Sequence, residues 1–218
     1  MLAAGLAFGF AGCGDDRHEN TFPQTDSPAG SDDNAGDEED DAAPDPEAGN
    51  ILVVYYSYTN NTHAVVSELS TRIDADIVRI EPAEKGLDYA AGNYALGSAL
   101  ISAIRANPDD AASYPEIDPV DVNIEDYDTV IVATPLWWSN MAAPMQTFLF
   151  ENGGRMSGRN IGLIVSSASS GIGGVEADAR RLVPEGNFMS RSLWIRSSQT
   201  ASCHTMIAEW LEDVGLTE

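Results

Sequence analysis

The sequence predicts a doubly wound α/β three-layer sandwich, in which helices cover both faces of a five-stranded parallel sheet. From residue 51 onward, short apolar runs alternate with stretches whose apolar residues recur at helical spacing. The runs are apolar throughout rather than at every second residue, which is typical of strands buried on both faces. Loops rich in hydroxyls or glycine follow several of these runs, and ligands bind at such positions in open α/β sheets.

The predicted elements follow one another in a regular order. The strands are predicted at residues 51–56, 76–81, 129–134, 160–165 and 188–195. The helices are predicted at residues 62–73, in the second half of residues 88–106, and at residues 142–150, 175–182 and 201–214. Loops are predicted at residues 135–140 and 166–174. Right-handed crossovers between parallel strands then lead to a sandwich with helices on both faces.

The chain is strongly acidic along its whole length. Its net charge is −24, and residues 1–50 contain 13 acidic residues and one arginine, so residues 1–50 and residues 51–218 each carry −12. Nucleic-acid binding requires lysine and arginine to neutralise phosphates, so we expect no nucleic-acid partner. The two cysteines, Cys13 and Cys203, lie in no Cys-x-x-Cys pair, and no metal site is predicted.

The first 13 residues resemble a bacterial lipoprotein signal. Residues 1–11 are apolar and rich in small residues, and they are shorter than the roughly 20 residues that span a bilayer. They end in Phe10-Ala11-Gly12-Cys13. The resemblance implies cleavage before the cysteine, lipidation at Cys13 and an anchor in the bacterial cell membrane, outside the cytoplasm. The alternative is an apolar leader with a chance cysteine, which would leave the protein in the cytoplasm.

Residues 14–49 are predicted to form a disordered acidic tether. They consist mainly of Asp, Glu, Ser, Pro, Gly and Ala, and they include an acidic run at residues 37–41. Such a segment buries too little apolar surface to offset the entropy lost on ordering, and its like charges extend it. It fits a spacer between a membrane and the folded domain, which is predicted at residues 50–218. An ordinary disordered tail has the same physics and differs only in whether Cys13 is acylated.

Three loops at strand ends carry the candidate ligand-binding residues. Residues 57–62 place hydroxyls at a helix N-terminus, where free N–H groups and the helix dipole favour a phosphate. This loop has neither the lysine of a nucleotide triphosphate loop nor the glycines of a dinucleotide site. Of Trp137 and Trp138, we expect one in the core and the other against a flat ligand. With the small residues of 166–174, these loops fit a mononucleotide with an extended ring system.

The same loops closely resemble those of the flavodoxin family. The matching residues are Ser57-Tyr58-Thr59-Asn60-Asn61-Thr62, Thr134-Pro135-Leu136-Trp137-Trp138 and 166–173, within a resemblance that covers residues 51–218. It implies the strand order 2-1-3-4-5 and the cofactor FMN. The implied phosphate ligands are Ser57, Thr59, Asn61 and Thr62, with the N–H groups of Tyr58 and Asn60. The implied ring contacts are Pro135, Leu136, Trp137, Trp138 and Ser139, with Trp138 stacked on the ring, and Ser167, Ser169 and Gly171 on the other side.

One residue departs from the family pattern. Family phosphate loops usually have glycine where this chain has Asn60. Asparagine adopts positive φ more readily than most residues, so we expect the turn to be preserved.

Three functions are compatible with these features. The first is an FMN-dependent electron carrier that serves unidentified redox partner proteins. The second is an FMN-dependent NAD(P)H oxidoreductase acting on quinones or nitro compounds, although the sequence has no second nucleotide motif. The third is a non-redox binding module that has kept the fold and lost the flavin. In the first two the flavin carries the electrons, so no catalytic side chain is predicted.

Overall fold

A computed structural model describes residues 49–168 and 171–217, and within them the chain forms seven strands and five α-helices. The strands are β1 Ile51–Tyr55, β2 Asp76–Arg79, β3 Thr129–Trp137, β4 Asn140–Met141, β5 Asn160–Ser167, β6 Asn187–Phe188 and β7 Leu193–Arg196. The α-helices are α1 Asn61–Leu69, α2 Ala91–Ala106, α3 Ala143–Asn152, α4 Gly173–Leu182 and α5 His204–Val214. The predicted leader 1–13 with Cys13, residues 14–48 of the predicted tether, and Ser169 lie outside the described residues.

The strands form one sheet in the order β2-β1-β3-β5, with β6 and β7 both paired to β5. Every pair is parallel except the hairpin of β3 and β4. The predicted doubly wound sandwich is therefore confirmed, and the order corresponds to 2-1-3-4-5 when β6 and β7 together count as the fifth strand. The predicted number of five strands is wrong, because the described residues form a sheet of seven.

The additional strands have two physical causes, and the first is an interruption of the edge strand predicted at residues 188–195. Phe188 pairs with Ile161 and Leu193 pairs with Ile164, so the edge strand uses two residues more than β5 between these pairs. The extra residues do not pair with β5. There the Arg191 carbonyl accepts a hydrogen bond of 2.8 Å from the indole N–H of Trp210. β6 and β7 are therefore separate strands.

The second cause is that β3 continues through residues 135–137, where the sequence predicts a loop over residues 135–140. Proline cannot donate to a strand ladder, but the Pro135 carbonyl accepts a hydrogen bond of 3.2 Å from the Ala142 N–H. Leu136 then pairs with Met141 in the antiparallel hairpin. The proline is thus accommodated within the strand, and the predicted loop is reduced to a two-residue turn.

Two hydrophobic cores lie on opposite faces of the sheet, because successive strand residues point to opposite sides. On one face, Leu52 and Val54 of β1 pack with residues of α2, α3 and α4. On the other face, Val53 packs with residues of α1 and α5, including the fully buried Trp210. The carboxyl ends of β1, β3 and β5 therefore meet at one edge of a sheet that is covered on both sides. No helix among the described residues is long and apolar enough to cross a bilayer.

Helix α2 begins with a break in its helical geometry. Gly92, Asn93 and Tyr94 have φ values of 58°, 57° and 62°, which belong to the left-handed region. Regular helix follows them, in agreement with the helical second half predicted for residues 88–106. The break turns the chain as it passes the edge of the sheet where the ligand loops lie.

Candidate functional site

The loop between β1 and α1 presents backbone N–H groups at a helix N-terminus. Asn60 immediately precedes α1 and has φ 63° and ψ 3°, so the expected preservation of the turn at this position is confirmed. Within the described part of the chain, the N–H groups of residues 58–62 donate no hydrogen bond. Unpaired N–H groups at the positive end of a helix form a site for an anion.

Two side chains of this loop support it from beneath. Ser57 Oγ accepts a hydrogen bond of 3.2 Å from the His63 N–H. Thr62 Oγ1 and Ser166 Oγ share a hydrogen bond of 2.8 Å. Ser57 and Thr62 are both buried. The Ser57 bond fixes the loop against the start of α1, and the Thr62 bond joins the loop to the end of β5.

Ser197, which follows β7, joins the first loop to the end of β5. Asn61 Nδ2 donates to Thr59 Oγ1 at 3.2 Å and to Ser197 Oγ at 3.4 Å. Ser197 Oγ in turn donates to the Ser167 carbonyl at 3.3 Å, and Trp194 Nε1 donates to Ser167 Oγ at 2.8 Å. These bonds hold the ends of β1, β5 and β7 around one space.

A tight hairpin carries the two adjacent tryptophans. Trp137 pairs with Asn140 across it, so Trp138 and Ser139 form a two-residue turn. Their φ values are 46° and 64°, as in the type I′ turn that suits hairpins and usually contains Asn-Gly. Since neither residue is glycine, each costs about 1–2 kcal/mol of backbone strain. The turn therefore depends on support from the rest of the fold.

The two tryptophans have different surroundings. Trp137 is half-buried in an aromatic cluster, with its ring centroid 4.8 Å from that of Tyr89 and 5.7 Å from that of Tyr56. Trp138 is 41% exposed and lies against Gly97 of α2, where an added Cβ would be 2.9 Å from two indole atoms. Glycine inside a helix costs about 1 kcal/mol relative to alanine, so Gly97 is explained by the space that it leaves for Trp138.

A hydrogen-bonded clip joins the first loop to the segment before α2. The Tyr58 hydroxyl donates to Asp88 Oδ1 at 3.0 Å and accepts from the Ala90 N–H at 3.1 Å. Hydrogen bonds from the Ala90 N–H and then from Tyr58 hold the pKa of Asp88 below its usual range. Desolvation and then the bond to Asp88 raise the pKa of Tyr58. The neighbouring Tyr89 is 3% exposed, and its hydroxyl has no partner among the described residues.

These elements enclose a cavity of about 380 Å³ at the carboxyl ends of the strands. Its lining consists of Tyr58, Thr59, Asn61, Tyr89, Tyr94, Gly97, Pro135, Leu136, Trp137, Trp138, Ser166, Ser167, Ala168 and Ser197. These described residues include no aspartate, glutamate, lysine, arginine or histidine. A mostly apolar wall with a few converging polar groups is typical of a small-molecule site.

A larger cavity of about 520 Å³ lies at the opposite edge of the sheet, where β1, β2 and β3 begin. Its wall contains Asp74, Asp76 and Asp128. Asp76 accepts a hydrogen bond of 2.7 Å from the Tyr127 hydroxyl. In open α/β sheets ligands bind at the carboxyl ends of the strands, so the smaller cavity is the better candidate.

The comparison with known families agrees with this geometry. The model of the family described as flavodoxin matches residues 50–214, which is more than half of the chain. The chain belongs to the flavodoxin family.

Solved structures with the same fold include two putative flavoproteins from Bacteroides. The one from Bacteroides eggerthii is 23% identical with a TM-score of 0.59, over 77% of this chain and 98% of that chain. The one from Bacteroides uniformis is 21% identical with a TM-score of 0.59, over 75% and 98%. A flavoprotein from Lactobacillus acidophilus in complex with FMN is 18% identical with a TM-score of 0.55, over 72% and 99%. At these identities the comparisons support the flavodoxin-like fold.

The structure divides the predicted site residues of this flavodoxin-family domain between the cavity wall and its surroundings. The wall includes Tyr58, Thr59, Asn61, Pro135, Leu136, Trp137, Trp138 and Ser167. The residues outside the wall are Ser57, Asn60, Thr62, Ser139 and Gly171. Of these, Gly171 is exposed and the buried Ser57 and Thr62 support the loop. Ser169 lies outside the described residues, and the ligand contacts of all these residues stay predictions.

Six residues that line the cavity were not predicted as individual ligand contacts, although Ser166 and Ala168 belong to a loop that was predicted at the site. The six are Tyr89, Tyr94, Gly97, Ser166, Ala168 and Ser197. Gly97 had a usable signal, because a glycine inside a helical pattern indicates a close approach of another group. Ser197 had none, because it meets Asn61 across 136 residues of sequence.

Proposed function

We propose that this domain binds FMN and carries electrons between redox partner proteins outside the cytoplasmic membrane. The observation that carries the proposal is the cavity, with unpaired N–H groups of residues 58–62 at one end and Trp137 and Trp138 at the other. A phosphate suits the first end and a flat ring suits the second. Membership of the flavodoxin family and the Lactobacillus acidophilus flavoprotein in complex with FMN support this cofactor.

The residues present fit the two ends of FMN. Thr59 and Asn61, with the N–H groups of residues 58–62, would hold the phosphate. The indoles of Trp137 and Trp138 would flank the ring, and Ser167 would approach it from the other side. When bound, FMN supplies one-electron and two-electron redox chemistry. The protein would bind and orient the ring.

The charge of the cavity favours a carrier over an NAD(P)H-dependent enzyme. NAD(P)H carries a diphosphate, and proteins commonly recognise phosphates with arginine or lysine. Among its described residues, the cavity lining contains neither. A protein partner that transfers electrons needs no diphosphate site, so the neutral lining supports the carrier.

An FMN-dependent NAD(P)H oxidoreductase acting on quinones or nitro compounds is the second candidate. The observation that favours it is a pair of exposed aromatic rings at the cavity. Tyr94 and Trp138 are 52% and 41% exposed, and their ring centroids lie 6.4 Å apart. Exposed rings of this kind suit contact with a flat, neutral substrate.

The location outside the cytoplasm rests on the sequence of the leader. Residues 1–13 resemble a lipoprotein signal, and residues 14–49 would separate the folded domain from the membrane. Lipidation of Cys13 would add the anchor. Because the tether and an anionic lipid surface are both negatively charged, they would repel each other, and the folded domain would be held away from the membrane.

The cofactor is tested with the full chain carrying Cys13→Ser, which removes the proposed lipidation site. We expect a yellow protein, or a colourless one that quenches the fluorescence of added FMN at one equivalent per chain. No binding of FMN would support the non-redox module instead. The same preparation is then mixed with NADH or NADPH and a quinone. We expect no catalysed oxidation for a carrier, and sustained oxidation would establish the second candidate.

The anchor is tested in a bacterial expression host with three forms of the full chain. We expect the wild-type chain in the membrane fraction with incorporated labelled fatty acid, and Cys13→Ser in the soluble fraction without label. Cys203→Ser is the matched control, because Cys203 is buried in the folded domain. Equal distribution of wild type and Cys13→Ser would contradict the anchor.

A further inference from the structure

The hairpin that carries Trp137 and Trp138 is too short to hold its own conformation. β4 has two residues, and Trp138 and Ser139 in the turn are non-glycine residues with positive φ. A short two-stranded hairpin is marginal in water by itself, and the strain at the turn lowers its stability further. Other elements must therefore hold the hairpin in place.

Met141, the last residue of the hairpin, has both of its backbone groups held by side chains from other elements. Its N–H donates to Asp178 Oδ2 at 2.9 Å, and its carbonyl accepts from Gln146 Nε2 at 2.7 Å. Asp178 Oδ2 also accepts from Asn140 Nδ2 at 3.0 Å. α3 and α4 thus hold β4 from both sides.

Arg181 connects the two side chains that hold Met141. Its Nη2 donates to Gln146 Oε1 at 3.0 Å and lies 3.5 Å from Asp178 Oδ1. Its Nη1 donates to the Tyr114 hydroxyl at 3.1 Å. Asp178 is 8% exposed and Gln146 1% exposed. A carboxylate at this depth needs an opposite charge and several donors, which Arg181 and the two donors on the hairpin supply.

A close backbone contact fixes the turn against the start of α4. A Cβ added at Gly174 would lie 1.9 Å from the Ser139 carbonyl oxygen. No side chain fits there, so Gly174 lets α4 approach the turn directly. Since α4 also follows the loop after β5, the two loops at the ring end of the cavity are attached to one helix.

We propose that Asp178, Arg181 and Gln146 are positioning residues that hold the tryptophan hairpin at the ring end of the cofactor site. This inference rests on the proposed FMN function. The loop of residues 57–62, which is proposed to bind the phosphate, is held separately, by α1 and by the Thr62–Ser166 hydrogen bond. Breaking the Asp178–Arg181–Gln146 network should therefore weaken the binding of the flavin ring and leave the contribution of the phosphate unchanged.

The test compares FMN with riboflavin, which has the same ring and lacks the phosphate. For Arg181→Met and Asp178→Asn, we expect the affinity for each ligand to fall at least about tenfold. The ratio of the FMN affinity to the riboflavin affinity should stay the same as in the wild type. For Thr59→Val, in the phosphate loop, we expect a loss for FMN alone. Glu125→Gln is the matched control, because it breaks the exposed Arg155–Glu125 ion pair, which lies outside the cavity lining. Its affinities should equal those of the wild type.

A second measurement follows the hairpin without any flavin. In the apo-protein with Arg181→Met, the Met141 amide should exchange with solvent at least about tenfold faster than in the wild type. Near-UV circular dichroism should change in the tryptophan bands. If Asp178→Asn does not fold, Arg181→Met carries the test, because the Arg181 side chain is 33% exposed and Asp178 keeps the hydrogen bonds from Asn140 and Met141.

The outcomes separate this inference from the proposed function. Two results for folded Arg181→Met would overturn the positioning role while FMN binding stands. One is that it binds both flavins with wild-type affinity, and the other is that it loses affinity for FMN alone. Failure of the wild type to bind either flavin would overturn the proposed function. The exchange of the Met141 amide would then decide the role of the network alone, with unchanged exchange counting against it.

Discussion

At the scale of single residues, backbone strain is concentrated around the candidate site. Among the described residues, those other than glycine with positive φ are Asn60, Asn93, Tyr94, Trp138 and Ser139. All belong to segments that border the cavity. Such conformations cost free energy and persist where the surroundings enforce them, which is common at ligand sites. The strained residues therefore lie in three of the segments that line the cavity.

The first prediction concerns the left-handed residue before α1. Asn60→Val should destabilise the protein by about 1–2 kcal/mol, because a β-branched residue is disfavoured at φ 63°. It should also weaken FMN binding, since the N–H groups of the loop would lose their alignment. Asn60→Gly is the control and should keep both properties. Urea unfolding and FMN titration measure them, and a stable Asn60→Val with wild-type affinity would contradict this account.

The second prediction concerns the glycine beneath Trp138. Gly97→Ala should not destabilise the protein and should raise the free energy of unfolding by up to about 1 kcal/mol, because alanine favours helix. The added Cβ would displace the exposed indole, which lies 2.9 Å away, so FMN affinity should fall. In a Trp138→Ala background the same substitution should leave FMN affinity unchanged. An equal loss of affinity in both backgrounds would show that Gly97 acts by another route.

At the scale of elements, apolar runs predicted the strands well because their burial is local information. The buried β1, β3 and β5 were recognised by their continuous apolar residues. The edge strand was predicted as continuous because nothing in residues 188–195 signals the Trp210 hydrogen bond that accompanies its interruption. The hairpin was predicted as a loop because Trp138-Ser139 lacks the usual turn residues. Both errors arise from contacts between residues distant in sequence.

The candidate site shows the same difference between features with a local sequence signal and features that depend on contacts between distant residues. The loops after β1, β3 and β5 carry local signals, namely hydroxyls at a helix start, adjacent tryptophans and small residues. The wall formed by Tyr89 and by Tyr94 of α2 carries almost none, because both tyrosines lie in the first half of residues 88–106, for which the sequence predicts no regular element. Tyr89 follows Asp88 directly, and Tyr94 lies against Trp138; the Tyr58–Asp88 hydrogen bond joins residues 30 positions apart, which only the folded chain brings together.

The third prediction concerns the pH dependence of this clip. Because hydrogen bonds lower the pKa of Asp88 in the folded protein below its ordinary 3.8, its ionised form stabilises the fold above that pH. The contribution is lost as the pH falls through the lowered value. Asp88→Ala should therefore be less stable than wild type at pH 7, and the difference should shrink below about pH 3.8. Urea unfolding across this range measures it, and a difference that is constant with pH would contradict it.

At the scale of the whole molecule, a neutral cavity lies inside an acidic domain. Residues 51–218 carry a net charge of −12, whereas the described residues of the cavity lining carry none. The bound phosphate would be held by N–H groups and hydroxyls, and the described residues of the cavity lining include no lysine or arginine. The negative field of the domain therefore acts on the flavin.

The last prediction follows from this field. Forming the fully reduced, anionic ring adds negative charge to an acidic domain, so the potential of the step that forms this anion should be lower in bound FMN than in free FMN. The part that arises from distant surface carboxylates should diminish in about 1 M salt, where the screening length falls to about 3 Å. A redox titration at low and high salt measures both effects. A potential for this step no lower than that of free FMN would contradict the prediction, whereas a lowered potential unaffected by salt would assign the shift to the apolar wall around Trp137 and Trp138.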